Sequence, residues 1–167
     1  MDSRHVPPEP AGPVAYGEDV VVSAHGCYEL VDHDGAPEIL PDAATGNGVV
    51  ALGSTGALIS TGTFHGPLRV RLEIHRRSPR VRADGWHRIV EVSQHTVSGM
   101  VSVDSHFADP PPQLPTFVGA PDSWYRIRIH VAGGHAVGHL PFGPGHPVER
   151  HLIQIWPTEK AAMPTEE

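Results

Sequence analysis

Four histidines, His135, His139, His146 and His151, fall within GGHAVGHLPFGPGHPVERH at residues 133–151, in a chain that carries 13 histidines in all. Imidazole nitrogen is a zinc ligand, and a tetrahedral site gathers three or four N, S or O donors about one point. A spacing of four would place His135 and His139 on one face of a helix. Gly133, Gly134, Gly138 and Pro141 oppose a helix there, so the spacing loses its geometric meaning. No HExxH or CxxC pattern is present, and the one thiol, Cys27, is far away in sequence. The segment therefore reads as a solvated loop, with no metal or other cofactor expected.

The remaining chemical candidates are thinner. Asp32, Asp34, Gly35 and Glu38 in DHDGAPE begin like a calcium loop, but the twelfth position, where a bidentate Glu is needed, is Ala43. Asp-Gly between strands more often makes a tight turn. Cys27 in HGCYE shares a strand face with His25, and an imidazole there could activate a thiol. The plainer reading is a small residue in a half-buried strand. Ser54 in LGSTG lacks the strand-turn-helix setting of a nucleophile elbow. No paired carboxylates and no phosphate-binding glycine loop stand out, so the expectation is a protein that is not an enzyme.

The elements that would position any site are strands. In LRVRLEIH, Leu68, Val70, Leu72 and Ile74 alternate with Arg69, Arg71, Glu73 and His75. WYRIRIHV repeats the pattern, with Tyr125, Ile127, Ile129 and Val131 inward and Trp124, Arg126, Arg128 and His130 outward. A period of two marks a half-buried strand. DVVVSA, YELVD, GVVAL, ALISTGTF, WHRIVEVS, VSGMVSV and HLIQIW add further strands, and 18 Gly with 18 Pro would interrupt any long helix. The pattern predicts an all-β fold, a two-sheet antiparallel β-sandwich of about eight or nine strands. Residues 1–18 read as a flexible Pro-rich arm, 19–157 as the domain and 158–167 as a flexible tail.

Formal net charge is −7, unevenly spread: no Lys or Arg lies between Arg4 and Arg69, whereas seven arginines fall within residues 69–88. An acidic total argues against nucleic acid as the main partner. With no apolar run of spanning length, no secretory leader and a single cysteine, the expected setting is the cytoplasm, without membrane attachment.

The order of elements in YELVDHDGAPE, STGTFHGPLRVRLEIH, GWHRIVEVSQHTVSGMVSVDS and DSWYRIRIHV, covering roughly residues 28–131, resembles the competence protein J family and its uncharacterised bacterial relatives. The resemblance implies a small protein that acts by binding another protein, as the named member does when it inhibits a DNA-entry nuclease. Surface residues then become the candidates. An acidic stretch, Glu29, Asp32, Asp34, Glu38 and Asp42, could occupy the basic groove of a nuclease. A strand face bearing Arg69, Arg71, Glu73, Trp124, Arg126 and Arg128, expected to stand in solvent, is the second, Arg and Trp being frequent interface anchors. The alternative class is a small-molecule, carbohydrate or metal-binding sandwich that uses Trp86, Trp124, His135 and His139. Open strand edges would also allow a homodimer.

Overall fold

The computed structural model describes residues 11–35, 47–105, 108–133 and 148–159. Both alternating octapeptides are strands, and their aliphatic halves are buried. In chain order the strands are β1 (Ala15–Ser23), β2 (Cys27–Asp32), β3 (Val50–Leu52), β4 (Ala57–Ser60), β5 (Gly66–Ile74), β6 (Arg88–Thr96), β7 (Met100–Asp104), β8 (Phe117–Val118), β9 (Ser123–Ala132) and β10 (Arg150–Thr158). They form two five-stranded sheets, sheet A in the order β1-β5-β10-β9-β6 and sheet B in the order β3-β4-β2-β7-β8. The fold is the expected two-sheet sandwich.

Three details depart from expectation. The described strands number ten, because β8, only two residues long, is too brief for a periodic signal. Pairing is not wholly antiparallel: β10 enters beside β9, antiparallel, and its other edge meets β5 in parallel register, Ile153 beside Leu72. Residues 15–18, read as part of the arm, belong to β1 and pair with β5 from Ala15↔Ile74 onward. Gly17 is required there, since a Cβ would run into the Gln113 carbonyl of the segment lying against this edge.

The core lies between the sheets. Leu68, Val70, Leu72, Ile127, Ile129, Ile153 and Ile155 of sheet A face Tyr28, Leu30, Ile59, Val101, Val103 and Phe117 of sheet B. Each fully buried aliphatic side chain contributes about 1.5–3 kcal/mol, so this layer supplies the main driving force.

Two buried carboxylates tie the sheets together near the ends of β2. At one end the Tyr28 hydroxyl bonds His151 Nδ1 of β10 at 2.8 Å, and His151 Nε2 bonds Glu149 at 2.8 Å. Glu149 also accepts from the Gly62 and Thr63 amides and the Thr63 hydroxyl, on the chain crossing from β4 to β5. At the other end Asp32 accepts from the Thr96 hydroxyl and from the amides of Val97, Ser98 and Asp34, where β6 crosses to β7. Burial alone would raise both carboxyl pKa values, yet these donors outweigh it and bring each down to about 2.

Glu149→Ala would strand His151 and three donors in a buried place and should lower unfolding free energy by about 3–5 kcal/mol, read from denaturant midpoints. Because Asp32 and Glu149 have depressed folded pKa values, their stabilisation is complete above the ordinary carboxylate range and disappears as pH falls toward 2. Denaturation midpoints should drop steeply across that acid window, and Asp32→Asn or Glu149→Gln should flatten the drop.

Candidate protein-binding surface

Parallel β5 and β6 lie on opposite sides of the β9–β10 pair, and the inner face of sheet A is filled by sheet B. Their connection, residues 75–87, must therefore cross the outer face. From the level of Ile74, which is that of Val92, to that of Arg88 it covers about 14 Å across the strands and about 13 Å back along them. The contacts trace this strap. Arg82 donates to both Glu73 oxygens at 2.8 and 2.7 Å, and Arg128 donates to the Pro79 carbonyl at 2.9 Å. Trp86 packs on His130 with centroids 5.5 Å apart, and the Arg150 guanidinium lies 4.6 Å over the Trp86 ring.

The strap corrects the expectation that the outward residues of β5 and β9 stand in solvent. Glu73 is 1% exposed and Arg128 4%. A polar row runs beneath the strap across four strands: Glu91 on β6, Arg128 on β9, Gln154 on β10 and Glu73 on β5. Arg126 donates to Glu91 at 2.7 Å and Arg128 at 2.9 Å; Arg128 reaches Gln154 at 3.3 Å, and Gln154 donates to Glu73 at 2.9 Å. Glu73 further accepts from Arg71 and is 3.1 Å from His75 Nε2. Burial opposes its charge, but bonds from Gln154, Arg71, Arg82 and His75 bring its pKa down to about 2. Arg71, Glu73, Arg126 and Arg128 are thus engaged in this ladder. Arg69, exposed, pairs with Glu18 at 3.1 Å, and half-buried Trp124 packs against His95.

The acidic stretch also divides. Asp32, expected at a partner surface, is instead the buried corner carboxylate, because it shares the inward face of β2 with Tyr28 and Leu30. Glu29 is half-exposed on the outer face of sheet B, and Asp34 is exposed in the turn beyond β2. Glu38 and Asp42 lie outside the described residues, as do His135, His139 and His146. His151 belongs to β10 and is buried. Among the described residues no three His, Cys, Asp or Glu side chains are grouped to hold a metal. Cys27 carries a thiol whose pKa is raised by burial and by Glu29, the reverse of nucleophile activation. No helix among the described residues is long and apolar enough to cross a membrane.

Tertiary structure adds Asp104, directly opposite Glu29 across β2 and β7. Like charges so placed weaken a strand pair. Beside them on the outer side of sheet B, Met100 of β7 pairs with Val118 of β8, and these residues are 41% and 68% exposed. The strands of sheet B carry three carboxylates and no Lys or Arg. All ten described arginines stand on sheet A strands or on the strap, alongside five carboxylates. Only the strand pairing brings Asp104 opposite Glu29; MVSVD alone carries no such signal.

No protein-family model matches the chain, and no curated protein sequence matches it. Among solved structures, ComJ from Bacillus subtilis, an inhibitor of the DNA-degrading activity of NucA, superposes with a TM-score of 0.59 at 10% identity, covering 87% of this chain and 97% of that one. A second structure, described as crocagin biosynthetic gene J, gives a TM-score of 0.50 at 14% identity over 86% of this chain and 97% of its own. The chain shares the ComJ-like fold.

Glu73→Ala would remove the acceptor that fixes Arg82 and should loosen the strap. Limited trypsin digestion should then cut after Arg80 and Arg82 severalfold faster than in the unmodified protein, and the melting temperature should fall.

Proposed function

We propose that the chain is a non-enzymatic, inhibitor-type protein whose acidic sheet B face docks on a basic partner, of the kind a nucleic-acid-degrading enzyme presents. The observation that carries this reading is that every described arginine belongs to a sheet A strand or to the strap, whereas the strands of sheet B carry three carboxylates and no Lys or Arg. A basic partner would complement this acidic sheet, and exposed Met100 and Val118 would supply apolar contact on the same face. The ComJ-like fold supports the same class of role, since ComJ is an inhibitor of a DNA-degrading protein. Asp32 and the Glu73 ladder contribute stability to the fold that presents the acidic face.

Titration of the protein into a DNA-degradation assay with a NucA-type nuclease should suppress cleavage near equimolar ratio. The variant Glu29→Gln/Asp34→Asn/Asp104→Asn should bind about tenfold or more weakly, mainly through slower association, and with a smaller dependence on salt. Equal inhibition by this variant, or absence of any complex on size-exclusion chromatography, would discard the reading.

A further inference from the structure

We propose that the opposite side of the molecule, the arginine-bearing strap and the β1–β5 margin beside it, is a docking surface for single-stranded nucleic acid. Three arginines of the strap, Arg76, Arg77 and Arg80, are exposed and have no ion-pair or hydrogen-bond partner among the described residues. They differ in this from Arg71, Arg82, Arg126 and Arg128, which are engaged with Glu73 and Glu91. Free guanidiniums on a surface already carrying more arginines than carboxylates repel one another, and a phosphate backbone would neutralise them through paired N–H donors.

An aromatic residue stands on neighbouring β1, level with Glu73, three residues before Arg76. Tyr16 lies opposite Glu73 across β1 and β5, is 64% exposed, and carries the Arg71 guanidinium 4.7 Å over its ring. Glu73, opposite that ring, holds both Arg71 and Arg82. An exposed ring backed by a guanidinium, on the same outer side of sheet A as the exposed strap arginines, combines base stacking with backbone neutralisation, the pairing used by proteins that hold single strands. An acidic peptide would use the arginines and leave Tyr16 without a role.

The acidic total does not oppose this. Stacked sheets are about 10 Å apart, and at physiological ionic strength the screening length is about 8 Å. A ligand on the strap therefore meets mainly the local positive field.

The test is fluorescence anisotropy with a labelled single-stranded DNA of about 16 nucleotides, in salt from about 50 to 200 mM. Binding is expected, weakening with salt. Arg76→Ala/Arg77→Ala/Arg80→Ala, which removes no described hydrogen bond, should lower affinity at least about tenfold and reduce the logarithmic salt slope by about 2. Tyr16→Ala should lower it about fivefold or more, with an unchanged melting temperature for both variants. The sheet B variant Glu29→Gln/Asp34→Asn/Asp104→Asn should bind the oligonucleotide undiminished, which separates this surface from the one proposed for a protein partner. No binding at the lowest salt, an unaffected triple-arginine variant, or competition by poly-glutamate as effective as by unlabelled oligonucleotide would each overturn the proposal.

Discussion

Parallel β5 and β6 are held apart in one sheet by the antiparallel pair β9 and β10, so the chain between them has to pass over the outside of that sheet. Much of the remaining architecture follows from this passage. A strap of 13 residues, 75–87, is long enough to lie on the sheet with room for turns. Where it lies it excludes water from side chains that alternation alone would leave wet. Glu73, Arg128, His130 and Gln154 are buried for this reason. Burial of charge is tolerable only with partners, and the Glu91–Arg128–Gln154–Glu73 row supplies them strand by strand.

On the inner side the same rule operates at the corners. Asp32 and Glu149 are placed where the chain changes sheet, and each binds the amides that a crossing chain would otherwise leave unsatisfied. Tyr28 and His151 extend the Glu149 cluster from sheet A to sheet B. Apolar packing between the sheets tolerates sliding better than a set of directional bonds does. These two clusters therefore set the register of one sheet on the other, while the aliphatic layer supplies the bulk of the stabilisation.

Charge segregation has a topological origin too. The basic block occupies β5, the strap and the start of β6, and β9 and β10 place their arginines in the same sheet. Sheet B is assembled from segments that hold no Lys or Arg. A net charge of −7 averages over two surfaces of opposite character. Such a molecule can steer partners of either sign to different sides, which makes its total charge a poor guide to what it meets.

Alternation at 68–75 and 124–131 determined the strands, their buried halves and the sandwich class, because side chains on successive strand residues point to opposite faces whatever the rest of the chain does. The same periodicity on β2 placed Asp32 with Tyr28 and Leu30 on the inward face, so its burial was legible, although the acidity of its neighbours suggested a surface role. The loss of solvent at Glu73 and Arg128 was not legible: whether an outward face stays wet depends on what crosses it, and that depended on β10 inserting between β5 and β9. Nor could sequence separation show that Asp104 faces Glu29, or that His151 joins Tyr28. Local periodicity is a property of a few adjacent residues, whereas these contacts join segments up to 123 residues apart and exist only once the sheets have chosen their order.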